Sequence, residues 1–185
     1  MKNLIIYFSL EGNTKFIAES IAEEIECDIM ELIPSKKYST GKIGKYFWGG
    51  KSVMFKEKPE LINAQLDISN YKNIIIGTPV WCGTYAPPFN TFLSNFEIKY
   101  KNIAIFACHG GGGAEKCFDN FKNELTENNF LGDISFVDPI KNQREECSQK
   151  AKEWIKSLIR QWLLELFLIN LKIKGINYVY KKRYN

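Results

Sequence analysis

The sequence predicts an α/β fold in which helices cover both faces of a parallel β-sheet, giving three layers. Short apolar runs rich in β-branched residues recur along the chain, and the clearest are 4–8, 74–76 and 103–107. Such runs are typical of strands that are buried on both faces. Segments with helical spacing of apolar residues separate them, and strands that alternate with helices form parallel sheets. The 185 residues are enough for one such domain with a sizeable core.

The predicted elements follow in the order β-α-β-loop-β-α-β-α-β-α. After the first strand, Phe16, Ile17 and Ile21 recur at helical spacing with Glu19 and Glu23 opposite, which predicts an amphipathic helix over 13–25. The remaining strands are predicted at 27–33, 74–76, 103–107 and 134–137. The remaining helices are predicted around 88–96, around 114–127 and from about 142 onward, and a long irregular stretch covers 34–70.

Cysteine usage and the N-terminal sequence predict a cytoplasmic protein. The five cysteines are odd in number and scattered, and no CxxC pair occurs. This pattern favours a reducing compartment and argues against a disulfide framework, a zinc site or a cysteine-ligated iron–sulfur cluster, so we expect no metal. No apolar signal segment opens the sequence.

The charge is distributed unevenly. The formal net charge is +4, but residues 159–185 hold six basic residues and one acidic residue. Residues 1–158 therefore carry 19 basic and 20 acidic residues, a net charge of −1. A neutral body argues against nucleic acid as a partner.

Three unusual loops follow predicted strands, where parallel sheets place their ligand crevices. The first is SLEGNT, in which Ser9, Asn13 and Thr14 offer side-chain donors, Gly12 permits close approach, and a helix N-terminus follows. This set suits a phosphate group. The triphosphate loop GxxxxGK[ST] and the dinucleotide fingerprint GxGxxG are both absent from the sequence. The alternative is a plain strand-to-helix turn with a capping side chain.

The other two loops offer an aromatic surface and a flexible backbone. TPVWCGTYAPP presents Trp81, which could stack on a flat ligand or belong to the core. CHGGGG contains His109, the one histidine of the chain, followed by four glycines. A lone histidine is more often structural than catalytic. A nucleophilic pair of Cys108 and His109 is disfavoured because adjacent strand residues point to opposite faces.

Taken together, the three loops resemble those of the flavodoxin family. The family's phosphate loop usually reads [ST]-x-[ST]-G-N-[ST], and SLEGNT departs from it only at Glu11. GTPVWCGTYAPPFNTFL resembles the tryptophan-bearing second loop, and ACHGGGG resembles the third loop of less typical members. The resemblance covers about residues 1–158 and implies a five-stranded parallel sheet of order 2-1-3-4-5 with FMN as the cofactor.

The resemblance also implies which residues contact FMN. The phosphate would be held by Ser9, the backbone of Glu11, Gly12, Asn13 and Thr14. We expect the Glu11 carboxylate to point to solvent, because it would repel a phosphate. The isoalloxazine ring would lie near two further groups, namely Thr78, Pro79, Val80, Trp81, Cys82 and Gly83 on one side and His109, Gly110 and Gly111 on the other.

The resemblance implies electron transfer and leaves two functions open. The first is a flavodoxin-like carrier that shuttles electrons between redox proteins. The second is an NAD(P)H- or quinone-type oxidoreductase with a small-molecule electron acceptor. Two features favour the oxidoreductase. Cys82 follows Trp81 at a position where carriers often have glycine, and the third loop lacks the usual stacking tyrosine. The short chain and the lack of a nicotinamide motif favour the carrier. A scaffold without flavin is a third reading, based on Glu11.

Two segments lie outside the loops. The insert 34–70 carries Tyr46, Phe47, Trp48 and Phe55, which either pack beneath the loop or form a lid over the flavin. Residues 159–185 are expected to form a helical and basic extension of the FMN-binding domain 1–158. For this extension we expect packing within the chain or a homodimer contact ahead of an interfacial membrane helix.

Overall fold

The computed structural model describes residues 2–38, 56–63 and 66–173. The strands are β1 Lys2–Tyr7, β2 Asp28–Glu31, β3 Tyr71–Trp81, β4 Thr84–Tyr85, β5 Asn102–His109 and β6 Asn129–Val137. The helices are α1 Asn13–Ala22, α2 Pro88–Asn95, α3 Glu115–Glu124 and α4 Arg144–Ile173. The aromatic residues predicted to form a lid, Tyr46, Phe47, Trp48 and Phe55, lie outside the described residues.

Five strands form the predicted parallel sheet. Their spatial order is β2-β1-β3-β5-β6, which in chain order of the parallel strands is the predicted 2-1-3-4-5. The short strand β4 was not predicted, and it pairs antiparallel with the end of β3 through Val80–Tyr85 and Trp81–Thr84. Strand β6 also begins five residues earlier than predicted, at Asn129 instead of 134. It pairs with β5 along its whole length, with one irregularity between Ile103 and Ala104.

The core has two layers, one on each face of the sheet. Along β1, Leu4 and Ile6 face one layer and Ile5 and Tyr7 face the other, as strand alternation requires. The first layer includes apolar residues of α2 and α3, and the second includes those of α1 and α4. Helices therefore cover both faces, and the predicted three-layer α/β/α fold is confirmed.

Helix α4 lies against α1 and continues beyond residue 158. Two ion pairs, Lys152–Glu23 at 2.7 Å and Lys156–Glu24 at 2.8 Å, join the two helices. The same helix continues to Ile173 without a break. Within the described ranges, none of the helices has the length and apolarity needed to cross a membrane.

A ladder of four asparagines crosses the sheet near the amino ends of the strands. The Asn73 amide donates to Asn3 at 2.8 Å, the Asn102 amide to Asn73 at 2.8 Å, and the Asn129 amide to Asn102 at 3.1 Å. Asn73 and Asn102 are only 6% and 5% exposed. Each buried carbonyl and amide is thus satisfied by the next strand, as buried polar groups require.

Candidate functional site

A cleft opens at the carboxyl ends of the parallel strands. Its volume is about 440 Å³, which is within the range of small-molecule and cofactor sites. All three loops singled out in the sequence contribute to its wall. The lining residues are Ser9, Leu10, Glu11, Asn13, Thr14, Pro79, Val80, Trp81, Cys108, His109, Gly110, Gly112, Asp138 and Lys141.

The first loop turns the chain from β1 into α1 at Gly12. Gly12 has a φ of 91°, a left-handed conformation that favours glycine. Its N–H donates to the Ser9 hydroxyl oxygen at 3.1 Å, and its carbonyl accepts the first helical bond, from the Phe16 N–H at 2.8 Å. No side chain caps the first turn of α1. The backbone N–H groups at this end of the helix are a favourable place for an anion, because the helix dipole adds to their charge.

The side chain of Asn13 joins this first loop to the segment between β6 and α4. Its carbonyl oxygen accepts the Ile140 N–H at 3.1 Å, and its amide makes a long contact of 3.5 Å to the Asp138 carboxylate. A Cβ at position 12 would lie 3.3 Å from the Ile140 side chain, so this segment packs closely on the loop. The Asn13 side chain is therefore held by the protein in addition to facing the cleft.

Two lining residues, Asp138 and Lys141, were missed by the sequence analysis. No motif marks them, because they follow the last strand in an ordinary DPIKNQ stretch. The only available signal was topological, since every parallel strand ends at the same edge of the sheet. Glu11, Asp138 and Lys141 give the cleft charges of both signs, and Glu11 is exposed while also lining the cleft.

The floor of the cleft is formed by two buried side chains. Thr14 is 1% exposed and Cys108 is 4% exposed, and both line the cleft. Burial raises the pKa of the Cys108 thiol to about 12, and the neighbouring Thr14 hydroxyl opposes this shift only in part. Cys108 is therefore a neutral thiol at physiological pH and does not act as a nucleophile.

The second loop is a tight hairpin. Cys82 and Gly83 connect β3 to β4, with φ values of 49° and 77°. Positive φ at both central residues of a two-residue loop is the signature of a type I′ turn. Cys82 is exposed at its tip, and neither Cys82 nor Gly83 lines the cleft. Thr78 is fully buried, and its hydroxyl accepts the Ala86 N–H at 3.1 Å. This bond links β3 to the residue that follows β4 and thereby stabilises the hairpin.

Trp81 packs against aromatic neighbours and also lines the cleft. Its ring makes edge contacts with Phe8 at 5.8 Å and with Tyr38 at 5.0 Å between ring centroids. The same side chain is partly exposed and lines the cleft beside Pro79 and Val80. The aromatic neighbours fix the orientation of the indole and thereby present a rigid surface to the cleft.

The third loop is organised by the side chain of His109. The Gly111 and Gly113 N–H groups donate to its Nδ1 at 3.0 Å and 3.3 Å. Both glycines have positive φ, 118° and 82°. Gly110 and Gly112 line the cleft, whereas Gly111 and Gly113 do not. The carbonyl of His109 accepts the Asp138 N–H at 3.0 Å, which ties this loop to the end of β6.

These residues fit a flat ligand that carries a phosphate. One end of the cleft offers the hydroxyls of Ser9 and Thr14 with the uncapped start of α1, and the middle offers the apolar wall of Val80 and Trp81. The predicted site residues that line one cleft are Ser9, Glu11, Asn13, Thr14, Pro79, Val80, Trp81, His109 and Gly110.

Structural comparison identifies relatives with the same fold. A candidate flavoprotein from Bacteroides eggerthii DSM 20697 superposes with a TM-score of 0.71 at 20% identity, covering 85% of this chain and 98% of that one. Oxidised flavodoxin 2 from Bacillus cereus gives a TM-score of 0.53 at 19% identity, covering 87% and 99%. At these identities the similarity establishes the fold alone.

A third relative was crystallised with a ligand. The flavoprotein from Lactobacillus acidophilus NCFM in complex with FMN is 26% identical, has a TM-score of 0.63, and is matched over 77% of this chain and 97% of its own. No curated protein sequence matches the chain. The family model described as Flavodoxin matches residues 2–157, nearly the whole of the described body. The chain therefore belongs to the flavodoxin family.

Proposed function

We propose that this protein binds FMN in the cleft and transfers electrons between redox partners. The observation that carries the proposal is the convergence of the phosphate-type loop, the Trp81 hairpin and the glycine loop on one cleft. Family membership and the FMN complex of the Lactobacillus acidophilus flavoprotein support FMN as the cofactor. Bound FMN would supply the reversible electron chemistry, and the protein would supply binding, orientation and electrostatics.

Each part of the cleft has a task in this proposal. The Ser9 and Thr14 hydroxyls and the first N–H groups of α1 would hold the phosphate. The Trp81 indole would stack on the isoalloxazine ring, and the backbone of the third loop would border the opposite side. The Gly12 N–H already has a partner in the Ser9 hydroxyl, so phosphate binding requires this N–H to be shared or released.

A second candidate function rests on the asymmetry of the cleft. Among the described residues that line the cleft, Trp81 is the only tryptophan, tyrosine or phenylalanine, so the glycine-loop side carries only the smaller His109 imidazole. That side could admit a small electron acceptor such as a quinone or a nicotinamide. An NAD(P)H- or quinone-dependent oxidoreductase is therefore the alternative to the carrier.

Visible spectroscopy tests the cofactor and separates the two functions. The purified protein, with FMN added if it is colourless, is expected to show flavin bands and is then reduced stepwise by light without oxygen. A long-wavelength band that rises and falls during reduction supports the one-electron carrier, whereas direct bleaching combined with steady NAD(P)H oxidation supports the oxidoreductase. A protein that binds no FMN at micromolar concentration contradicts the proposal.

We propose a homodimer contact for the C-terminal part of α4. Leu163, Leu164 and Phe167 are 53%, 56% and 59% exposed and lie on one side of the helix. Large exposed apolar groups are typical of interaction surfaces. Light scattering coupled to size exclusion is expected to give twice the monomer mass for the wild type and the monomer mass for Phe167→Ser.

A further inference from the structure

The His109 ring is held through one of its two nitrogens. Nδ1 accepts the Gly111 N–H at 3.0 Å and the Gly113 N–H at 3.3 Å. An imidazole nitrogen that accepts hydrogen bonds carries no proton. The neutral ring therefore has its proton on Nε2, and the loop itself selects this tautomer.

The second nitrogen is the one left for a ligand. Among the described residues, no hydrogen bond is made by Nε2. The ring is half-buried and lines the cleft beside Gly110 and Gly112. A neutral Nε2–H is a hydrogen-bond donor that can reach a carbonyl or ring nitrogen of a bound ligand, and it brings no charge with it.

We propose that His109 is a positioning residue with two linked tasks, in which Nδ1 holds the glycine loop in its binding conformation and Nε2–H donates to an acceptor atom of the flavin. The proposal rests on FMN binding in the cleft. The shape of the 110–113 loop then depends on the protonation state of the His109 side chain.

Protonation of the ring would undo the first task. A proton on Nδ1 turns this acceptor into a donor that faces two other donors, so both bonds to Gly111 and Gly113 are lost. The loop contains four glycines in succession, and without these bonds it has few restraints of its own. Acidification is therefore expected to release the loop and weaken flavin binding.

Several charged groups surround the ring and would modulate this transition. The Asp138 carboxylate lies next to the loop, 3.9 Å from a Cβ built at Gly110, and Lys141 lines the cleft on the same segment. Glu11 lines the cleft from the first loop. From α3, Glu115 accepts the Ala114 N–H at 3.1 Å, and Lys116 follows it in the chain. The thiol of Cys108 is neutral and buried.

Nuclear magnetic resonance can test the first task without any flavin. Because the chain has one histidine, labelled imidazole nitrogens give a single pair of signals that report the tautomer directly. We expect the Nε2–H tautomer in FMN-free protein. During an acid titration, the Gly111 and Gly113 amide signals are expected to move together with the ring signals.

Two substitutions separate the two tasks. In His109→Asn the side-chain oxygen can take the place of Nδ1 and accept the same N–H groups, as in an Asx turn, but the Nε2–H donor is gone. In His109→Gln an amide can replace the Nε2–H donor, but the acceptor at Nδ1 is gone. We expect each variant to bind FMN roughly 5-fold more weakly than the wild type at pH 8, since one net hydrogen bond corresponds to about this ratio. His109→Ala should be weaker than either.

The pH dependence is measured with riboflavin, because the FMN phosphate itself loses a proton near pH 6. Wild-type affinity for riboflavin is expected to fall as acid protonates the ring, a transition that the ring nitrogen signals follow, and the affinity of His109→Asn is expected to stay nearly constant. Identical pH profiles of the two proteins would overturn the loop-holding task.

The remaining outcomes are equally decisive. An Nδ1–H tautomer, or glycine amides that ignore the histidine titration, overturns the loop-holding task, and wild-type affinity in His109→Asn overturns the donor task. If the wild type binds neither FMN nor riboflavin, the proposed function fails together with the donor task. The tautomer and amide data in FMN-free protein then still decide whether Nδ1 holds the loop.

Discussion

The two ends of the same parallel strands differ in how completely their polar groups are paired. At the amino ends, the asparagine ladder links β1, β3, β5 and β6 through three side-chain bonds of 2.8–3.1 Å. At the carboxyl ends, the strands stop in loops with positive φ at Gly12, Cys82, Gly83 and Gly111, and no side chain caps α1. One end satisfies its donors within the protein, and the other leaves donors available to a ligand.

This difference has an energetic consequence. Buried polar groups that are fully paired stabilise one arrangement of the strands, whereas left-handed backbone and uncapped N–H groups cost free energy in the absence of a ligand. We therefore expect substitutions at the amino ends to change stability with little effect on FMN affinity. Substitutions at the carboxyl ends should do the opposite.

The largest effect is expected from the centre of the ladder. Asn102→Ala removes the acceptor of the Asn129 amide and leaves the buried Asn73 carbonyl without its donor. The unsatisfied Asn73 carbonyl, together with the space left by the buried Asn102 side chain, should lower the free energy of unfolding by about 2–4 kcal/mol, as measured by urea denaturation. FMN affinity should remain within about 2-fold of the wild type at 25 °C. The substitution lies at the opposite end of the strands from the cleft, so the free energy of FMN binding should change by less than about 0.5 kcal/mol.

The end of the ladder provides the control. Asn129 is exposed, so in Asn129→Ala water can take the place of the lost amide and donate to the Asn102 carbonyl. Asn129→Ala should cost less than about 1 kcal/mol. Equal losses for Asn102→Ala and Asn129→Ala would mean that the ladder is not a buried network.

In the first loop we expect the opposite result, a large change in FMN affinity with little change in stability. Ser9→Ala removes a hydroxyl that lines the cleft and orients the Gly12 N–H. We expect FMN to bind roughly 10-fold more weakly, while the free energy of unfolding without FMN changes by less than about 1 kcal/mol. Fluorescence titration with FMN measures the affinity.

Ser94→Ala is the matched control for Ser9→Ala. Ser94 is an exposed serine on α2 whose hydroxyl donates to the Asn90 carbonyl at 2.7 Å, far from the lining residues. It should bind FMN like the wild type. An unchanged affinity in Ser9→Ala would remove Ser9 from the phosphate site.

The sequence revealed much of the carboxyl end because the information there is local. SLEGNT and CHGGGG each combine ligand-type residues within six positions, directly after an apolar run. Asp138 and Lys141 were missed because their place in the cleft arises from β6 lying beside β5, a tertiary fact without a local pattern.

The ladder and the hairpin could not be predicted for related reasons. Asn3, Asn73, Asn102 and Asn129 are far apart in the chain, and only the register of four strands aligns them. The hairpin was not predicted, since Cys82 is not a usual residue for a type I′ turn, which favours Asn-Gly. Here strand pairing outweighs the local preference of a cysteine.

A smaller effect is expected from relieving backbone strain at one residue near each end of the parallel strands. Cys82 at the hairpin tip has a φ of 49°, and Tyr100 before β5 has a φ of 56° and is 75% exposed. Asparagine tolerates this conformation better than either residue. Cys82→Asn and Tyr100→Asn should each raise the free energy of unfolding by about 0.5–1 kcal/mol.

The variants Cys82→Asn and Tyr100→Asn also test whether backbone strain at the carboxyl ends of the strands contributes to FMN binding. If it does, Cys82→Asn changes FMN affinity or the course of photoreduction, and Tyr100→Asn changes neither. If both variants are more stable and bind FMN identically, the strain at Cys82 is unrelated to the cofactor.

The smallest expected effect is a decline of the free energy of unfolding at alkaline pH that the buried thiols cause. Burial raises the pKa of both Cys108, in the cleft floor, and Cys117, in the core, to about 12 from a reference of 9.0. The unfolded chain thus loses these protons at lower pH than the folded protein does. Each thiol contributes stability that is fully present below about pH 9 and lost as the pH rises toward about 12.

At pH 9 each thiol is expected to lower the free energy of unfolding by roughly 0.4 kcal/mol relative to neutral pH, and this loss grows at higher pH. Urea denaturation between about pH 8 and about pH 10 measures it, although Tyr85, whose pKa burial raises to about 12, adds to the slope above its own reference value. Cys117→Ala removes one contribution and should make the alkaline decline less steep. A decline as steep as that of the wild type would mean that the Cys117 thiol ionises as readily in the folded protein as in the unfolded chain. In that case the core around α3 would admit water more freely than the complete burial of Cys117 indicates.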